Sequence, residues 1–389
     1  MKLVKNALKV FTMGKNGVLE NVDILIENNK IVKVEKNIQI SQDIEIIDAT
    51  DKWVFPGFID AHCHIGLFEE SIGFEGEDGN EKSNPITPEL RAIDAINPMD
   101  VAFKEALAGG VTTVSTGPGS ANVVGGQFTI IKLAGVCVDD MVVKAYSAMK
   151  CAFGENPKRV YRGKGPETRM STAAKLRDTL FKAKEYLYKK EKFKDDESKQ
   201  PDFNIQFEAL IPVLKRYVPL KAHAHRADDI FTAIRIAKEF NILLTLDHCT
   251  EGHLIVDYLM KENFPAIVGP SFGSRSKFEL KEKSFITPKV LQNAGVKVAI
   301  MTDSPVIPLH HLNMCASYAV SAGMDYYEAI KAITINPAEI LNIEDRLGSI
   351  ESGKDADIVI WSGDPLNIQT NVERTLVNGE TVYKTDLDK

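Results

Sequence analysis

Two histidines, His62 and His64, stand two positions apart in "FPGFIDAHCHIG" (55 to 66), with Cys63 between them. Side chains of a strand alternate faces, so the two imidazoles point the same way, roughly 6–7 Å apart, while Cys63 points to the opposite face. Alone, such a pair reads equally well as two polar residues hydrogen-bonded near a strand end. Other apolar runs close on similar residues: "PLKAHAH" ends in His223 and His225, "ILLTLDH" in His248, and "VKVAIMTD" in Asp303. That is the end of a strand at which barrel enzymes place their catalytic groups. Neutral imidazole and carboxylate are the usual ligands of zinc and similar divalent ions, and an open catalytic site needs three or more of them plus water. The pattern predicts a metal centre.

Lys150 closes a further apolar run in "AYSAMKCAFGENP". Buried in a barrel it would lose basicity, and its neutral amine could take up carbon dioxide as a carbamate able to bridge two metals. The plainer alternative is a lysine that snorkels or pairs with a nearby acid. "GENPKR" and "HAHRADD" bring Lys158, Arg159 and Arg226 near the same strand ends, and the Gly-rich "GPGSANVVGGQ" (117 to 127) offers backbone amides to an anion. Together they favour a substrate with a carboxylate; pairing with acids of the 69 to 100 segment is the alternative. His225 faces as His223 does but lies further out, where it either orients substrate or caps the strand.

These positions need a scaffold that brings many strand ends together. From 54 to 344, near-continuous apolar runs alternate with helical stretches, as expected of a parallel sheet covered on both faces. Seven runs are clear, an eighth is "GQFTIIKLAG", and the span suits a (β/α)8 TIM-type barrel. A doubly wound sheet is the alternative. Residues 1–53 and 345–389 instead alternate apolar and polar in short runs, with a hairpin signal at "VNGE", and form one composite β unit. The acidic, Gly- and Pro-containing stretch 69 to 100 reads as a lid or a surface excursion. The charged stretch 181 to 202 reads as a solvated helix and linker.

Composition narrows the class. The chain has 389 residues, 44% hydrophobic, with a formal net charge of −7 and no stripe of Lys and Arg, which excludes a nucleic-acid footprint. No apolar run has signal-peptide or membrane-span length, so a cytoplasmic protein without membrane attachment is expected. Five cysteines without CxxC spacing fit reduced thiols.

The order of these motifs resembles the metal-dependent amidohydrolase superfamily over essentially the whole chain. The HxH within "PGFIDAHCH", His223, His248, the "MTDSP" around Asp303, and the closing "TINPAEIL" and "GSIESGKDADIVIW" carry the likeness. It is strongest to the imidazolonepropionase-like branch, which also includes metallo-dipeptidases. The resemblance implies a (β/α)8 barrel flanked by a small β-sandwich built from both termini. It implies one or two divalent ions, zinc first among them, held by His62, His64, His223, His248 and Asp303, with Lys150 as the carboxylated bridge. Asp303 would also act as general base, moving a proton from the attacking water to the leaving nitrogen. One position departs from the pattern: Arg226 stands three residues after the fifth-strand histidine, where imidazolonepropionase and related deaminases carry an acid. The expected function is hydrolysis of a non-peptide or dipeptide amide in a small carboxylate-bearing substrate, with Arg226, His225 and Arg159 contacting it. The alternatives are a deaminase of a nucleobase-like ring with a mononuclear site, and a scaffold protein that has lost its metal, which the complete ligand set opposes. A homo-oligomer is expected.

Overall fold

The structure, a computed structural model, describes residues 1–40 and 44–385. Both ends of the chain enter one mixed sheet. Its N-terminal strands are β1 (Lys2–Phe11), β2 (Val18–Glu27), β3 (Lys30–Glu35), β4 (Glu45–Asp48) and β5 (Trp53–Pro56); β14 (Ile358–Trp361), β15 (Val372–Val377) and β16 (Glu380–Lys384) come from the other end. The order is β16-β15-β14-β5-β1-β2-β3, with β4 also paired to β1. Two-residue turns fix the hairpins. Asn28–Asn29 joins β2 to β3 and Asn378–Gly379 joins β15 to β16, all four residues with positive φ, the geometry whose twist matches paired strands. Alternation supplies the core: Val4, Val10, Ile24, Ile26, Ile358 and Ile360 are buried together.

Between these ends, β6 (Phe58–Cys63), β7 (Val111–Thr116), β8 (Val124–Lys132), β9 (Val142–Ala152), β10 (Leu220–Ala224), β11 (Leu244–His248), β12 (Ala266–Val268) and β13 (Val298–Ile300) follow one another around a second eight-stranded sheet. The ring closes at β6 and β13: buried Asp60 accepts hydrogen bonds from the Thr302 amide (2.9 Å) and hydroxyl (2.6 Å), and the His64 amide donates to the Ser304 carbonyl (2.8 Å). The expected barrel is present, with one local difference. β8 runs antiparallel to both β7 and β9. Only residues 117 to 123 separate β7 from β8, too few for the crossover that a parallel pair requires.

Helices cover the outside. The helix Ala227–Phe240 has Asp228 and Asp229 in its first turn, buries Ile230, Ala233, Ile234 and Ala237 along one stripe, and ends at Asn241 in the left-handed conformation. The helix Arg169–Lys192 takes up the start of the charged stretch read as a solvated helix. Inside, the barrel is polar: Lys150 and Lys221 sit 5.5 and 5.4 Å from the centre of the Phe128 ring, whose negative face favours the two buried amines. No described helix is long and apolar enough to cross a membrane.

Candidate active site

Strand alternation puts Asp60, His62 and His64 on the inner face of β6, while Ile59 and Ala61 on the other face pack with Ala338, Ile340 and Leu341. His223 comes from β10, His248 from the last position of β11, and Asp303 from just beyond β13. His248 (φ 70°) and Asp303 (φ 56°) both lie in the left-handed region, a backbone cost that other contacts must offset. The six positions expected to hold metal do converge. The ring centres of His62 and His64 are 5.1 Å apart, those of His62 and His248 5.4 Å, and those of His223 and His248 4.2 Å. Asp303 Oδ1 lies 3.4 Å from His62 Nε2 and 3.2 Å from His64 Nε2, and Lys150 Nζ lies 3.2 Å from His62 Nε2.

The second nitrogen of each ring decides what the first can do. His62 Nδ1 faces Asp247 Oδ2 at 2.6 Å, His64 Nδ1 the Gly117 carbonyl at 2.7 Å, and His248 Nδ1 the Gly269 carbonyl at 2.9 Å. Carboxylate and carbonyl only accept, so each ring carries a proton on Nδ1, and in a neutral ring that leaves Nε2 bare and turned inward. Burial, helped by the charge of Lys150, pushes His62 down to about 4, and burial likewise holds His223 and His248 well below the ordinary imidazole range. The rings of His62, His223 and His248 are therefore neutral at pH 7. His223 Nε2, His225 Nε2 and His248 Nε2 are buried without any hydrogen-bond partner among the described residues.

Lone pairs and a carboxylate oxygen thus converge with few protons between them. Such an arrangement is costly unless a cation sits among the acceptors. The donor set fits a divalent ion: His62, His248 and Asp303 offer ligand atoms all within 4.8 Å of one another, as do His223, His225 and His248. Burial lowers Lys150 to about 8 against the opposing pull of Asp247, which leaves a fraction of its amine neutral near pH 7.

The cavity above these groups measures about 650 Å³, and Arg159, Lys277 and Lys283 are among its walls. Arg159 has no carboxylate within 4 Å among the described residues, whereas Lys277 pairs with Glu279 at 2.7 Å. Lys283 donates to the carbonyls of Phe272, Gly273 and Ser274 and is used to shape that loop. His225 also lines the cavity. Arg226 is not brought to it: its guanidinium forks onto Asp228 at 2.9 and 3.0 Å. In the Gly-rich loop four amides are already taken. The amides of Gly119, Ala121, Val124 and Gln127 bond to Gly79, Asn80, Pro85 and Leu90, so the 69 to 100 segment occupies them. That segment is a packed wall that supplies Asn80 to the cavity.

Four contributors escape the sequence reading. Asp247 and Lys221 lie beneath the imidazoles, 3.2 Å apart, and Lys277 and Glu279 arrive on the loop after β12. Asp247 had a signal, since an acid directly before a strand-end histidine on a buried strand must face some partner.

Comparison with known proteins adds an independent line. A model of the amidohydrolase family matches residues 212–382. The crystal structure of an amidohydrolase from Thermotoga maritima MSB8 is 45% identical, covers 99% of this chain and 100% of that one, and superposes with a TM-score of 0.96. Amidohydrolase tasK of Hapsidospora irregularis is 29% identical over 93% of this chain, which spans only 40% of tasK. An imidazolonepropionase of Clostridium tetani is 27% identical over 98% of both chains.

Proposed function

The chain belongs to the amidohydrolase family, as a hydrolase of carbon–nitrogen bonds, and from that premise we propose that it cleaves an amide bond of a small substrate bearing a carboxylate. One observation carries the reading: bare imidazole nitrogens and the Asp303 carboxylate meet at the floor of a cavity whose wall holds the Arg159 guanidinium, paired with no carboxylate among the described residues. His62, His64, His223, His248 and Asp303, with Lys150, would hold one or two divalent ions. When bound, such an ion supplies Lewis acidity, making water a competent nucleophile near neutral pH and polarising the scissile carbonyl. Asp303, at the mouth of the imidazole cluster, takes the proton from water and passes it to the departing nitrogen. Arg159 holds the substrate carboxylate in a charge-assisted hydrogen bond, and the cavity size suits a dipeptide, an N-acyl amino acid or a cyclic amide.

The test is a screen of those three classes, each compound run beside its carboxamide analogue. Arg159→Met should raise KM about tenfold for the acids, from about 1.5 kcal/mol for a charged hydrogen bond, and leave the carboxamides unmoved. Equal effects on both would remove the carboxylate from the reading. Asp303→Asn should lower kcat by about 10²–10⁴-fold in a folded protein. A second reading, deamination of a nucleobase-like ring, is favoured by one feature: Glu279 Oε1 lies 3.9 Å from His223 Nε2, a carboxylate beside the β10 histidine although Arg226 occupies the sequence position expected for one. Ammonia release from aminopurines, indifferent to Arg159→Met, would select it.

A further inference from the structure

We propose that His225 is a metal ligand, and that His223, His225 and His248 together hold one ion through three imidazoles without needing Lys150 as a carbamate. The inference rests on the reading of the site as a metal centre, and goes beyond it in the ligand set. The three ligand atoms lie within 4.8 Å of one another, and all three residues are buried. The ring centres of His225 lie 4.6 Å from those of His223 and 4.4 Å from those of His248. All three Nε2 atoms are sealed from solvent and lack a hydrogen-bond partner among the described residues, although each could have been satisfied by one well-placed hydroxyl. His225 is held in this pose: its Nδ1 sits 2.8 Å from the Thr250 hydroxyl, the kind of outer contact that orients metal-bound imidazoles. A fourth acceptor faces the group, since Glu279 Oε1 lies 3.7 Å from His225 Nε2 and 3.9 Å from His223 Nε2. Glu279 is itself anchored by the Glu155 amide at 2.9 Å and by Lys277.

A substrate-orienting histidine would be placed differently. It would turn its free nitrogen toward the open cavity, whereas His225 turns Nε2 toward two other imidazoles, one of which, His248, carries its proton on Nδ1 and offers none. Three neutral imidazoles at this spacing form a complete first set for zinc with one position left open. The other ion then depends on His62, His64 and Asp303, with Lys150 beside them.

The experiment counts zinc by elemental analysis in protein equilibrated against buffers of graded free zinc. It compares wild type, His225→Asn, Lys150→Met and Thr250→Val, with melting curves of the metal-free forms as the folding control. Wild type should bind two ions. Lys150→Met should keep one at wild-type affinity, His225→Asn should weaken one at least 100-fold while sparing the other, and Thr250→Val should weaken that same ion about 10-fold. If His225→Asn fails to fold, Thr250→Val alone decides. Unchanged binding in the His225 and Thr250 variants, or loss of both ions in Lys150→Met, overturns the proposal while leaving a metal-dependent hydrolase intact. A wild type that binds no zinc overturns both, so the two failures are distinguishable.

Discussion

Asp247 governs the proposed ligand set without belonging to it. It accepts the Nδ1 proton of His62 and pairs with Lys221; burial pushes its carboxyl up, but these two neighbours outweigh burial and hold it well below the usual range. Asp247→Asn would allow the amide to donate instead, turning the proton of His62 toward the metal position. We expect zinc affinity to fall about 10–100-fold, read by chelator competition, and an unchanged affinity would refute the tautomer assignment. At this scale the sequence was informative where geometry is local. His62 and His64 share a face because strand side chains alternate, and His223, His248 and Asp303 were visible because they end apolar runs. Arg226 misled because it stands at the N-terminal boundary of the helix Ala227–Phe240 and turns back on Asp228, a short-range bond that competes with any reach into the cavity. Lys277 and Glu279 depend on the path of a loop, which periodicity does not encode.

Lys132 on β8 joins the two sheets. Its amine bonds to Asp355 and Asp357, each at 2.9 Å, and to Asn378 at 2.6 Å. Lys132→Met would leave the buried Asp357 carboxylate without its cation and take one of three cations from Asp355, and should destabilise the fold by about 3–5 kcal/mol in denaturant unfolding. Burial alone would raise the carboxyl of Asp355, but Lys30, Lys132 and Arg346 pull it down to about 2. A depressed carboxylate stabilises the fold above its unfolded value, roughly 3.9, and loses that contribution as pH falls toward about 2. Asp355→Asn should therefore flatten the stability profile across that acid window, and an identical slope in the variant would contradict the assignment. Among elements, the hairpins and terminal strands were legible from Asn and Gly turns and from alternation. The direction of β8 was not, because an apolar run has no polarity; the brevity of residues 117 to 123 was the overlooked signal.

For the whole molecule, a bound metal would act as a ligand of the folded state alone. Each ion at a free concentration 100-fold above its dissociation constant adds about 2.7 kcal/mol, so chelation should lower Tm by several degrees and zinc should restore it. A Tm indifferent to both would mean that the converging acceptors are satisfied in another way. The barrel as a whole was legible because short apolar runs alternate with helical stretches, whereas its closure through Asp60 and Thr302 depends on two residues far apart in the chain. The pairing of β5 with β14, which sets Trp53 opposite Trp361, has the same character and a consequence in time. All of the strands that carry ligands, from His62 to Asp303, are synthesised between those two. On the ribosome, β1 to β3 can pair as hairpins when they emerge, since their contacts are close in sequence. β5 must wait for β14. A nascent chain paused before Ile358 has made every residue of the proposed metal centre, yet still exposes one unpaired strand edge, and that interval is when it most needs protection from other chains.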